Sequence, residues 1–139
     1  KKNFTINNWD VASGYIYVLK SKSADPAISS IKDLYKIGFT TQTVEERIAN
    51  ARNDATYLYA EVEIVASWEV YNIKAVAFEN ALHRLFKRAQ LQLAAGVAHP
   101  KEWYIVPYKI IEEAVSRLIQ GIFYRSHLYI HRQKFLKIF

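Results

Sequence analysis

GYIYVLKSKSADPAISSIKDLYKIGFT, residues 14 to 40, is the stretch on which the fold turns. Its opening, Gly14 to Lys20, is rich in aromatic and β-branched residues and reads as a strand. Ser21 to Asp33 is punctuated by Pro26 and several serines and reads as a loop. Leu34 to Thr40 then reads as a second short strand. One strand, a connection and another strand predict an antiparallel pair. Two-residue alternation places Tyr17 on the same side of the first strand as Tyr15 and Leu19.

Downstream, Thr43 with Glu46 three residues later forms a capping box, which predicts a helix to about Arg52. Residues 61 to 70 alternate, with Val62, Ile64, Ala66, Trp68 and Val70 on one side, and predict a half-buried third strand. Asn72 can cap a long helix reaching about Gln90. On that helix Ala75, Phe78, Leu82, Leu85 and Phe86 form an apolar arc, with Lys74, Asn80, Arg84, Lys87 and Arg88 on the outer side. After a loop near Gly96 to Lys101, Glu102 to Val106 reads as extended, and Pro107 suits the first position of a helix that Gly121 would end. The order β-β-α-β-α-α predicts an α+β fold with a small central antiparallel sheet of about three strands, flanked by helices. The expected division is a polar lead-in over 1–13, one domain over 14–120 and a basic, aromatic extension over 121–139.

The 139 residues suit one domain with a real core, since half of them are hydrophobic. The absence of cysteine excludes disulfides and thiolate metal sites and favours a reducing, cytoplasmic setting. No apolar run is long enough for a membrane span and no secretory signal is visible, so a membrane partner is not expected. Nineteen Lys and Arg against thirteen Asp and Glu give a net charge of +6, which favours nucleic acid as a partner, although many ordinary proteins carry as much. From Gly121 to Phe139 there is no acid, and Arg125, Arg132, Lys134 and Lys137 interleave with Tyr124, Tyr129, Phe135 and Phe139. That extension fits strand binding by stacking and charge, a packed terminal element, or an interface with a further domain. A chain that opens Lys-Lys and holds no methionine reads as a piece of a longer protein.

The pair GYIY (Gly14 to Tyr17) and YKIG (Tyr35 to Gly38), followed by Arg47 in the next helix and Glu79 in the long one, resembles the GIY-YIG nuclease superfamily over roughly residues 14 to 106. The lysine in the second motif is similar to the restriction-type and phage-type branches. The resemblance implies a GIY-YIG endonuclease-like fold and a DNA endonuclease that hydrolyses phosphodiester bonds with Mg²⁺ or Mn²⁺. In that scheme Tyr17 would take a proton from the attacking water and Lys36 would lower its pKa. Arg47, near a helix start, would bind the scissile phosphate, and Glu79, at the edge of the apolar arc, would hold the metal. For each, an ordinary role stands beside this one: strand tyrosines pack, helix arginines are solvated, and a boundary glutamate forms a salt bridge. Tyr15 and His83, one turn after Glu79, are auxiliary candidates. The pattern departs from the family in reading Y-I-Y and K-I-G, and in having Ala51 where many members carry His or Tyr. The alternative is therefore a module of the same fold that binds nucleic acid and cuts weakly or not at all. A DNA-binding or helicase-like companion domain, a homodimer for double-strand cutting, and a role in restriction, repair or mobile elements are further expectations.

Overall fold

The computed structural model describes residues 12–71, 74–91, 102–126 and 129–133. The elements follow in the order β1 (Ala12–Ser21), α1 (Pro26–Ser29), β2 (Leu34–Thr40), α2 (Val44–Ile48), β3 (Val62–Tyr71), α3 (Ala75–Leu85), β4 (Trp103–Ile105), α4 (Tyr108–Ser126) and β5 (Tyr129–Gln133). Three 3₁₀ turns, Ala51–Asn53, Ala55–Tyr57 and Lys87–Ala89, lie between them. The fold is α+β, as expected, but the antiparallel sheet has five strands in the order β4-β2-β1-β3-β5 rather than about three. The two extra strands are the edges. β4 is only three residues long, and β5 falls in the segment whose charge pattern left its structure open.

The predicted strand pair forms with Tyr17 opposite Gly38 and Leu19 opposite Lys36. Gly38 is required there: a Cβ would lie 2.5 Å from Cζ and Oη of Tyr17, whose ring crosses the glycine. The third strand departs from strict alternation. Val18 pairs with Ala66 but Leu19 with Ile64, so Val65 is the extra residue of a β-bulge. One added residue sends every side chain before it to the opposite side. Ala66, Trp68 and Val70 accordingly enter the core beneath the long helices, while Val62 and Ile64 pack with Tyr17 and Leu19.

The sheet thus has two dissimilar faces. Ile16, Val18, Ile37, Ala66, Trp68 and Val70 line one, covered by Phe78, Leu82 and Phe86 of the α3 segment and by Ile111, Val115 and Ile119 of α4. Burial at roughly 25 cal/mol per Å² makes this cluster the main source of stability. Leu85, expected in the apolar arc, is instead 57% exposed. Lys74 stands at the start of α3 without a side-chain cap; the expected cap, Asn72, lies outside the described residues. The second face is covered by Val44 of α2, by Ala51 and by Tyr57.

Two helix boundaries differ from expectation. The Thr43–Glu46 capping box is present, yet α2 stops at Ile48 and the chain continues as 3₁₀ turns. At the other end, α4 begins directly after Pro107 as expected but runs through Gly121 to Ser126. A single glycine costs a helix interior only about 1 kcal/mol, too little to end one.

Candidate functional site

β4 pairs with β2 only from Leu34 to Lys36, and one further bond, from Ile37 N–H to the Glu102 carbonyl, closes the ladder at 3.1 Å. Beyond that point no strand among the described residues lies beside the β2 edge. The next amide facing that way, Phe39 N–H, is turned toward the carboxylate of Glu79 from α3. A short edge strand therefore leaves a notch, and Lys36, Arg47, Glu79 and Glu102 gather around it.

Lys36 lies at its centre. The side chain has no solvent exposure, and its ammonium donates to Glu102 Oε1 in a close ion pair. Burial pulls the Lys36 pKa down, and the Glu102 carboxylate partly offsets the effect. Glu102 is itself about three-quarters buried, its side chain 26% exposed. Glu79 approaches from the other side, where its carboxyl is pushed above the usual range, first by burial and then by repulsion from Glu102. One carboxylate oxygen from each of these glutamates and a ring nitrogen of His83 lie within 4.8 Å of one another.

The sheet face beneath the 3₁₀ turns completes the cluster. Lys36 Nζ lies 5.2 Å from the centre of the Tyr57 ring, and Arg47 Cζ lies 5.3 Å from it. Cations at that range are attracted by the aromatic face. Tyr57 is fixed by its surroundings: Asp54 accepts from Thr56 N–H at 2.8 Å, and Trp103 Nε1–H donates to the Thr56 carbonyl at 3.0 Å. Leu58 and Tyr59 follow with φ of 58° and 56°, a left-handed pair that non-glycine residues adopt only under constraint. The Tyr17 hydroxyl meets that of Tyr57.

Of the residues singled out in the sequence, Tyr17, Lys36, Arg47, Glu79 and His83 are brought together. Tyr15 is not: its hydroxyl donates to Glu69 Oε2 at 3.4 Å on the neighbouring strand. The expected electrostatics of Tyr17 are corrected. The residue is 1% exposed, and burial followed by its contact with Tyr57 drives the phenol well above its ordinary pKa. Arg47 lowers it only in part. The phenol of Tyr57 differs. It too is raised above its ordinary value, chiefly by burial, but the neighbouring Tyr17 and the charge of Arg47 oppose the shift, and its hydroxyl has no hydrogen-bond partner among the described residues. Arg47 stands near the start of a capped helix as expected, its N–H donating to the Thr43 carbonyl, but α2 is only five residues long, so this is also its last turn.

Two members of the cluster, Tyr57 and Glu102, were missed. Tyr57 belongs to a 3₁₀ turn with no periodicity to reveal it, and Glu102 precedes a strand of three residues. A tyrosine closing an Asp-capped turn and a glutamate directly before an aromatic pair are faint signals at best. Buried polar atoms without a hydrogen-bond partner add to the picture: His83 Nε2 and the Tyr104 hydroxyl both lie beside the notch. Such atoms cost about 1–3 kcal/mol each when left dry, which favours a ligand or water there.

No helix among the described residues is long and apolar enough to cross a membrane. No solved structure matches the chain. The chain is similar to the uncharacterized protein YeeC of Bacillus subtilis (strain 168), with 46% identity over 125 residues, or 86% of this chain. It spans about a third (32%) of the length of that relative. Among protein families, residues 14–119 match the T5orf172 domain, a family of nuclease-like, DNA-binding modules. This match overturns the assignment to the GIY-YIG superfamily, which rested on two four-residue motifs and two single residues, whereas the matched family spans three-quarters of the chain. The notch with its lysine, arginine, phenols and carboxylates is thus a feature of a chain that belongs to the T5orf172 domain family.

Proposed function

We propose that this domain is a divalent-metal-dependent DNA endonuclease, cutting phosphodiester bonds at the notch between β2, β4 and α3. The observation that carries this reading is the meeting of three potential ligand atoms, from Glu79, His83 and Glu102, with two cations and a phenol in one partly buried place. Two carboxylates held this close need a positive neighbour, and Lys36 offsets only one charge. The donor set of two oxygens and one imidazole nitrogen suits a hard or borderline divalent ion, Mn²⁺ as readily as Mg²⁺. When bound, such an ion supplies Lewis-acid stabilisation of charge on the leaving 3′-oxygen.

The chain's own residues supply the rest. Arg47, placed above Tyr57, presents its guanidinium to a phosphate that enters the notch and neutralises charge as it builds on the non-bridging oxygens. Tyr57 takes the proton of the attacking water as the water oxygen bonds to phosphorus and the 3′-oxygen departs. Tyr17 is a positioning residue in this scheme: its hydroxyl lies beside that of Tyr57, whose oxygen is buried without a hydrogen-bond partner among the described residues. Lys36 keeps Glu102 in place and adds positive potential beneath the phenol. The direct Lys36–Glu102 pair also favours a rival reading, a module that binds DNA without cutting, because it half-neutralises the notch with no metal.

Supercoiled plasmid incubated with Mg²⁺ or Mn²⁺ separates the two. Nicking is expected from the wild type, with losses of about 10²–10⁴-fold in Tyr57→Phe and in Glu79→Gln, both still cooperatively folded by denaturation. Binding without nicking by the wild type in either metal, or undiminished nicking by Glu79→Gln, overturns the proposal.

A further inference from the structure

Beside the notch runs a groove lined by Asn80, His83, Arg84, Lys87, Gln90 and Tyr104. Three observations distinguish it from ordinary surface. Residues 80, 83, 84 and 87 recur at helical spacing, so one face of α3 and the turn after it forms a wall of the groove. That wall is basic: Arg84 and Lys87 are exposed, no carboxylate lines the groove, and neither cation has an ion-pair partner among the described residues. The groove also joins the notch, because His83 belongs to both.

The groove offers nothing for stacking a base. Tyr104 is 1% exposed, and the His83 ring lies 6.0 Å from it at an interplanar angle of 32°. Its contacts are charges and amides, the groups that meet phosphate oxygens rather than base faces.

We infer that this groove holds the sugar–phosphate backbone of duplex DNA flanking the bond in the notch, with Arg84 and Lys87 on successive phosphates and no reading of base sequence. The inference rests on the nuclease reading for its substrate. Catalysis is not needed to test it, since the groove lies to one side of Arg47, Tyr57 and Glu79. The duplex enters along α3, and the groove fixes which phosphate reaches Arg47.

The test is binding of the full chain to a short labelled duplex, in chelator, across a salt series. Each lost phosphate contact lowers the slope of log K against log salt by about 0.9. Arg84→Ala/Lys87→Ala is expected to lose about 1.8 from the slope and about tenfold or more in affinity at 0.1 M salt. Arg84→Gln/Lys87→Gln, which keeps polar side chains of similar length, is expected to do the same. Lys109→Ala/Arg117→Ala, two exposed cations of α4 outside the groove, removes equal charge and is expected to leave the slope nearly unchanged. Two duplexes of unrelated sequence should bind the wild type within about threefold.

Equal slopes for the groove and control pairs overturn the inference, as does wild-type binding that is absent or indifferent to salt. A strong preference between the two duplexes overturns the sequence-neutral part. If the wild type fails to nick but the slope difference stands, the nuclease reading fails and the groove survives. If the wild type nicks and the slopes coincide, the groove fails alone.

Discussion

The two faces of the central sheet are built from the same strands, yet they obey different rules. Beneath α3 and α4, Ile16, Val18, Ile37, Trp68 and Val70 make an apolar layer without a charge in it. On the other face the same strands bury Tyr17, Lys36, Thr40 and Ser67, and their cover is a five-residue helix and short 3₁₀ turns. The first face places each buried side chain where burial alone rewards it. The second holds a lysine with no exposure whose pKa burial lowers, and a phenol whose ionisation burial opposes. A buried charge that the fold itself disfavours is what a site looks like when selection acts on chemistry instead of stability. The apolar face carries the polar one.

That division can be broken from the stable side first. Trp68 is 1% exposed in the middle of the apolar layer. Trp68→Ala should destabilise the domain by about 3–5 kcal/mol, measured by urea denaturation, because a large cavity opens among residues that cannot collapse into it. Nicking per folded molecule should be little changed where folding is retained. A loss below about 1 kcal/mol would place the main core elsewhere.

The polar face should respond with the opposite sign. Replacing a buried ion pair by neutral groups of similar volume is commonly neutral or stabilising by about 1–4 kcal/mol. Lys36→Met with Glu102→Gln should therefore gain about 1–2 kcal/mol while nicking falls at least about a hundredfold. The paired change matters, since Lys36→Met alone leaves Glu102 facing Glu79 without its cation. A double variant that is less stable than wild type would show the pair to be structural, and would blur the contrast between the faces.

The sequence made the two faces visible to unequal depths. The β1–β2 pair was legible because aromatic and β-branched residues mark the strands and because Pro26 and several serines mark the connection between them. Tyr17, Lys36, Arg47 and Glu79 were named through the resemblance of two short motifs, and each lies on an element whose period or cap was readable. The bulge at Val65 could not be read: an apolar residue on the polar side of residues 61–70 is a weak mark by itself, and only the pairing with β1 shows the slip. Tyr57 and Glu102 were hidden for a related reason. Their positions follow from a left-handed turn and from the register of a three-residue strand, which are products of tertiary pairing. The role expected of Tyr17 failed on burial: a strand period tells which side a phenol takes, and the depth of that side depends on what covers it.

The smallest effect is the sharpest probe of that depth. In the folded chain the Tyr17 phenol titrates well above its ordinary value, chiefly through burial and next through Tyr57. Below the unfolded pKa near 10 both states keep the proton, so stability is insensitive to this group. Above it the unfolded chain ionises while the folded one does not, and stability is lost as pH rises toward the folded value. For one such group the loss reaches about 1.4 kcal/mol by pH 11. Tyr17→Phe should thus lose about 1.4 kcal/mol less than wild type between pH 9 and pH 11 in paired denaturation curves. Curves that fall in parallel would mean that Tyr17 ionises in the folded protein as easily as in the unfolded one. The phenol would then be open to act as a base in its own right, and the assignment of that role to Tyr57 would reverse.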